Sequence, residues 1–205
     1  MLGKTPGKCA ISDDMGELID LYLDSDYVGM ATPVYGLFMT ALLKNFTDRL
    51  LPLATPHIME DEKGDFYHDA RVNSFPGQFF IANSGFPGQY NFELLKNYFE
   101  LVRESGQEII LEIYRNCGEV LQNQAANPRL SAKVAEFSAG LQKAGREMVT
   151  NGEITEETRA QIQTELISDQ EYLERANQFW DEEIRGVEVG EGLTRKIIIK
   201  TASKI

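Results

Sequence analysis

Apolar residues in the first 115 positions alternate between short continuous runs and helical spacings. The runs "DYVGMA" (26–31), "QFFIAN" (78–83) and "QEIILEIY" (107–114) have the length and content of buried strands. Three helical faces accompany them, and their apolar positions are Met15, Leu18, Ile19 and Tyr22, then Phe38, Ala41, Leu42 and Phe46, and then Phe92, Leu95, Phe99 and Val102. Strands that alternate with helices predict an α/β fold in which right-handed helical crossovers join parallel strands.

The second half of the chain has a helical pattern. One apolar stripe runs through Leu130, Val134, Phe137, Leu141, Ala144 and Met148. It is typical of a surface for a partner helix or of a helix that docks on the chain's own sheet, and docking is the commoner case. "SDQE" (168–171) resembles a capping box before another helix. We therefore predict an α/β core in 1–120, a helical extension packed on it in 121–185, and a tail of unknown role in 186–205.

Residues 51–77 are rich in Pro, Gly and charge and are expected to be irregular. His57 and His68 flank this acidic stretch without the tight spacing of metal ligands, so we expect solvated side chains and no metal site. Cys9 and Cys117 are expected to be free thiols.

Charge and hydropathy exclude several classes of function. The net charge of −12 argues against a nucleic-acid partner, which needs a basic surface. No apolar run approaches the length that crosses a bilayer, and the N-terminus lacks a signal-peptide core, so the expectation is a cytoplasmic protein without a membrane partner.

Two loops follow consecutive predicted strands and carry the candidate chemistry. The first edge loop consists of Thr32, Pro33, Val34, Tyr35 and Gly36, and the second edge loop of Ser84, Gly85, Phe86 and Pro87. Ligands of open parallel sheets bind beyond the carboxyl ends of the strands, so these loops are expected to lie side by side at the binding edge. Proline fixes the backbone direction, glycine permits close approach, and an aromatic side chain covers a ring face. The mixture suits a flat, partly polar ring, although ordinary turns with packed aromatic residues have the same composition.

The motif order resembles that of a known family. "TPGKCAISDDM", "ATPVY", "LLKNFTDRLLP" and "NSGFPGQYNFELL" follow one another as in the flavodoxin-like NAD(P)H-dependent FMN reductases and their iron–sulfur flavoprotein relatives. The resemblance covers residues 3 to about 115. It implies a partial flavodoxin-like parallel sheet with helices on both faces, and it assigns both edge loops to the FMN ring. No catalytic residue is implied.

The chain lacks counterparts of the family's first strand, phosphate-binding loop and second strand. Because the flavodoxin-like strand order is 2-1-3-4-5, strand 26–31 is then expected at a sheet edge, where an apolar strand invites pairing. Three explanations stay open: a start codon assigned too far downstream, pairing of the edge with another subunit or chain, or coverage by Ile197–Ile199.

The resemblance implies an FMN-dependent oxidoreductase, in truncated form, that takes hydride from NAD(P)H and reduces a quinone, a flavin or another small acceptor. We also expect a homo-oligomer. The alternatives are an FMN electron carrier that serves a protein partner and a flavin-free remnant that acts as an interaction module.

Overall fold

The computed structural model describes residues 5–122 and 127–183 of the chain. The chain divides into two compact units, Met1–Asp169 and Gln170–Ile205. The first unit contains both sheets and every candidate residue named above. The boundaries near residues 120 and 185 stay predictions, and Ile197–Ile199 lies outside the described residues.

In the described residues, helices separate the three buried strands that the apolar pattern predicts. The helices are α1 (Met15–Asp24), α2 (Ala41–Asp48), α3 (Glu93–Glu104), α4 (Pro128–Asn151), α5 (Glu156–Gln163) and α6 (Asp169–Glu183). The strands are β1 (Tyr27–Pro33), β2 (Ala54–Glu60), β3 (Phe66–Ala70), β4 (Gly77–Asn83) and β5 (Ile109–Arg115).

The main sheet is parallel and has the order β1-β4-β5. Its register pairs Pro33 with Asn83 and Asn83 with Arg115, so the three strands end at the same level. This confirms the α/β fold class and the partial flavodoxin-like sheet. In the described chain β1 is an edge strand.

Helices cover both faces of the main sheet. On one face, Met30 and Phe80 share a buried cluster with α1 and α3, and the Phe80 and Phe99 rings lie 3.5 Å apart between centroids. On the other face, the Tyr27 hydroxyl donates to the Met148 carbonyl of α4 (3.1 Å), and the Arg115 guanidinium lies 4.3 Å from the Phe137 ring centroid. The stripe on α4 therefore docks on the chain's own sheet.

Two local predictions are wrong. Residues 51–77 are not irregular, because β2 and β3 form an antiparallel hairpin there that carries His57 and His68 on its strands. Nearly all of its side chains are exposed, so its sequence lacks the apolar alternation that reveals a half-buried strand.

The apolar face of α2 is also displaced from the predicted one. Thr40 caps the helix by accepting from the Leu43 N–H, so Phe38 lies before its start. Leu43 and Phe46 pack against the core, whereas Leu42 is 80% exposed. Adjacent leucines at 42 and 43 fit helical spacing equally well, and the sequence does not distinguish them.

Candidate functional site

The first edge loop continues β1 into a tight two-residue turn. Tyr35 and Phe38 exchange both backbone hydrogen bonds, at 3.0 and 3.2 Å. The residues between them, Gly36 and Leu37, both have positive φ (59° and 66°), as in the type I′ turns of hairpins.

Buried Thr32 connects this turn to the next helix. Its hydroxyl donates to the Pro33 carbonyl (2.8 Å) and accepts from the Thr40 N–H (3.0 Å), at the N-cap of α2. The end of β1, the turn and the start of α2 are thus fixed together. Thr32 is a support within the loop rather than part of its surface.

The second edge loop lies directly beside the first. The Val34 N–H donates to the Asn83 carbonyl (2.7 Å), so β-type pairing continues past the end of β1. The Ser84 hydroxyl is buried and accepts from the Phe86 N–H (3.1 Å), which closes a short turn. The two loops therefore lie side by side, as the consecutive strands predict, while their role in binding a flavin stays a prediction.

The paired loops present aromatic rings and open backbone on an accessible surface. Tyr35 is 70% exposed and Phe86 is 68% exposed. No atom lies within 4 Å of the position that a Cβ would take at Gly36 or Gly85, so a ligand can approach the backbone there. Pro33 is exposed and Pro87 half-buried. The arrangement is an open platform that offers two ring faces.

A third loop at this edge was not singled out from the sequence. Asn116, Cys117 and Gly118 follow β5, and their backbone is bonded to the second edge loop. Ser84 N–H donates to the Arg115 carbonyl (2.9 Å), Gly118 N–H to the Ser84 carbonyl (2.9 Å), and Cys117 N–H to the Phe86 carbonyl (3.2 Å). The strand-end rule that selected the first two loops applies equally to "RNCG" after the third strand.

Asp169, at the start of α6, fastens the same edge. Its Oδ1 accepts from the Gly88 N–H and from the Asn116 side-chain amide, both at 2.9 Å. The carboxylate therefore bridges the second and third loops. Nothing in the sequence near Asp169 points to this contact, because its partners lie more than fifty residues away.

Backbone strain is concentrated at this edge. In the described part of the chain, the non-glycine residues with positive φ are Leu37 (66°) and Cys117 (52°). One follows β1 and the other follows β5. A left-handed conformation is unfavourable for an L-residue with a side chain, and such strain is typical of functional loops that the surrounding structure holds in place.

Two ionisable side chains behind the loops, Cys117 and Arg115, are buried, and burial shifts the pKa of each. Burial raises the pKa of the Cys117 thiol to about 12, so this cysteine is a neutral, packed side chain rather than a nucleophile. The buried Arg115 guanidinium donates to the carbonyls of Ile162 and Thr164 at the end of α5, and burial lowers its pKa. A cation at the negative end of a helix is favourable.

Two cavities among the described residues have linings that include none of the edge-loop residues. A cleft of about 450 Å³ lies beside the third loop, between α3, β5 and the end of α5, and includes Asn116 and Asp169. A cavity of about 400 Å³ lies at the other end of the sheet.

Residues 5–122 and 127–183 contain no group of three or more His, Cys, Asp or Glu side chains that could hold a metal ion. Cys9 and Cys117 are free thiols. In the part of the chain that the structure describes, no helix is both long and apolar enough to cross a membrane.

Comparison with known proteins gives one short similarity. A segment of 46 residues is 52% identical to an iron–sulfur flavoprotein of Archaeoglobus fulgidus, and it covers 22% of this chain and 21% of that protein. No protein-family profile matches the chain, and no solved structure is significantly similar to it. Over this segment, the chain is related to a flavoprotein.

Proposed function

We propose that the two edge loops bind the isoalloxazine ring of FMN and that the protein is an FMN-dependent oxidoreductase using NAD(P)H. The observation that carries the proposal is the open aromatic platform at the carboxyl edge of a parallel sheet, where such sheets bind ligands. The similarity to an iron–sulfur flavoprotein supports the choice of a flavin over other planar ligands.

The residues present fit a flat heterocycle in three respects. Tyr35 and Phe86 supply exposed ring faces, Gly36 and Gly85 leave the backbone accessible, and the rigid turn holds the Tyr35 ring in position. In this proposal Pro33 and Val34 orient the turn, Pro87 limits the second loop, and Thr32 and Ser84 anchor the loops from below. When bound, FMN supplies hydride and electron transfer between NAD(P)H and a small acceptor such as a quinone or a free flavin.

The loops supply no cationic side chain for the FMN phosphate. Neither Thr32–Gly36 nor Ser84–Pro87 contains a lysine or an arginine. The nearby Gly88 N–H already donates to Asp169. The proposal therefore assigns the binding free energy to the ring, and it predicts that lumiflavin, which has the ring without the phosphate, binds with an affinity similar to that of FMN.

The test is a titration of the purified chain with FMN and with lumiflavin, followed by anaerobic addition of NADH or NADPH. The proposal predicts quenching of flavin fluorescence by both ligands and bleaching of the bound flavin by a nicotinamide. Binding without bleaching, with rapid reduction by a redox protein, would instead assign the electron-carrier function; the net charge of −12 would favour steering of a basic partner. Absence of binding by both flavins would contradict the proposal.

We further propose that the protein is a cytoplasmic homo-oligomer. In the described residues β1 pairs only with β4, and its other edge leaves backbone groups available for pairing. The free thiols Cys9 and Cys117 suit a reducing compartment. Sedimentation or light scattering that finds a monomer at micromolar concentration would contradict the oligomer.

A further inference from the structure

We propose that the cavity of about 400 Å³ at the amino end of the main sheet is a second binding site, for an uncharged aromatic molecule that carries a hydroxyl group. Gln78 and Gln107 line it at the starts of β4 and β5, whereas the edge loops follow the opposite ends of the strands. Its volume lies within the range of about 300–1,000 Å³ that small-molecule sites occupy. This proposal does not rest on the flavin function.

The walls of the cavity favour a ring. Aromatic side chains from three different parts of the chain line it, namely Tyr22 of α1, Tyr67 and Phe75 from the hairpin region, and Phe80 and Tyr98 from the core. Rings that meet edge-to-face or in offset stacks gain energy beyond the burial of their area. An aromatic occupant therefore gains more here than an aliphatic one of equal size.

Gln78 and Tyr22 form a buried hydrogen-bonded pair that offers one free acceptor and one free donor to a ligand. Gln78 is 2% exposed, and its Nε2 donates to the Tyr22 oxygen (3.1 Å) and to the Gln107 Oε1 (2.6 Å). Both amide protons are thereby used. Among the described residues, nothing donates to the Gln78 Oε1 and nothing accepts the Tyr22 hydroxyl proton.

A ligand hydroxyl satisfies both groups at once. It accepts from the Tyr22 O–H and donates to the Gln78 Oε1, which sits on the same amide that Tyr22 already contacts. Covering a polar group without giving it a partner is costly, so the pair favours an occupant that can complete it. A plain hydrocarbon ring leaves both groups unpaired.

The charge of the lining disfavours an anion. The described lining residues include the carboxylate of Asp69, which repels an anion, and the imidazole of His68, but no lysine or arginine. Burial also raises the pKa of Tyr22 to about 12, which keeps its hydroxyl protonated as a donor. The aromatic ligand is therefore uncharged.

The test uses 2-naphthol as the probe, with naphthalene and 2-naphthoate as matched ligands, in calorimetric titrations of the full chain. We expect 2-naphthol to bind two- to tenfold more tightly than naphthalene, the range that about 0.5–1.5 kcal/mol of hydrogen bonding gives. We expect no saturable binding of 2-naphthoate. Equal affinities for all three ligands, or no binding of 2-naphthol, would overturn the proposal.

Variants locate the site. Tyr22→Phe removes the free donor and is expected to weaken 2-naphthol binding two- to tenfold without changing naphthalene binding. Tyr27→Phe is the matched control, because the Tyr27 hydroxyl bonds to Met148 outside the cavity. Ala70→Trp places a ring from an exposed position of β3 into the cavity and is expected to abolish binding of both ligands, with melting curves reporting on the fold. If Tyr35→Ala abolishes 2-naphthol binding while Ala70→Trp leaves it unchanged, the probe binds at the edge loops and the proposal is wrong.

Discussion

The strained turn at Leu37 gives a quantitative test of the edge geometry. Leu37 has a φ of 66° and is 46% exposed, so replacing it changes both the backbone and some packing. Comparing Leu37→Gly with Leu37→Ala separates the two effects, because both variants lose the same packing beyond Cβ. The difference between them reports the backbone conformation alone.

The expected difference follows from two opposing terms. A left-handed conformation costs an L-residue with a Cβ roughly 1–2 kcal/mol, which glycine avoids. Glycine loses more conformational freedom on folding, at about 0.5–1 kcal/mol relative to alanine. Leu37→Gly is therefore expected to be more stable than Leu37→Ala by about 0.75 kcal/mol at the midpoint of these ranges, or roughly 1.5–3 °C in melting temperature for a chain of this size.

A matched pair of variants in a helix, Leu101→Gly and Leu101→Ala, is expected to show the opposite order of stability. Leu101 is 66% exposed within α3, where glycine is about 1 kcal/mol less favourable than alanine. Urea titrations followed by circular dichroism measure all four variants. If Leu37→Gly is less stable than Leu37→Ala by the amount seen at Leu101, the turn does not hold a left-handed residue and the description of the first edge loop is wrong.

Four further predictions concern the same edge and the two thiols. Tyr35→Ala is expected to weaken FMN binding in a fluorescence titration more than Cys117→Ala, because Tyr35 is exposed on the platform and Cys117 is buried; equal losses would reject the assignment of Tyr35. Gly118→Ala is expected to lower the free energy of unfolding by about 1–3 kcal/mol in urea titrations, because the new methyl group overlaps the Asn83 side-chain amide, and an unchanged midpoint would contradict that close approach. Alkylation, mapped by mass spectrometry, is expected at Cys9 before Cys117, because the hydrogen bond from Arg49 lowers the pKa of Cys9 while burial raises that of Cys117. Arg49→Met should slow the alkylation of Cys9, and an unchanged rate would refute the role of Arg49. The folded-state pKa of Cys117 is raised to about 12 from an ordinary 9.0, so unfolding releases a proton above pH 9.0. The contribution of Cys117 to the free energy of unfolding therefore declines between pH 9.0 and about pH 12. Over this range the free energy of unfolding of Cys117→Ala should decline less steeply than that of the unsubstituted chain.

The apolar pattern predicts the main sheet because β4 and β5 are buried or half-buried on both faces and β1 is buried on one. Runs such as "QFFIAN" have no alternation, and helices with clear apolar faces separate them, so the parallel order follows. The position of the edge loops follows from that order. The hairpin of β2 and β3 escapes prediction because exposed strands carry no periodic signal.

The contacts that complete the edge depend on tertiary structure. Asp169 joins Gly88 and Asn116 across more than fifty residues, and no local pattern encodes such a bridge. Arg49 is adjacent to Asp48 in the sequence, but it bonds to Cys9 and Asp13, while Asp48 pairs with Lys44. The partners in such long-range polar pairs depend on which loops the fold brings together. In a sequence pattern, any nearby charged side chain fits as a partner equally well.

Amide hydrogen exchange with and without saturating FMN tests the central claim most directly, because it reports where on the chain the flavin binds. The account predicts slower exchange at residues 34–38 and 84–88, with smaller effects at the third loop and none in the hairpin of β2 and β3. Protection confined to the hairpin and the cavity beside it, or no change anywhere in the chain, would contradict the assignment of the edge loops to a flavin.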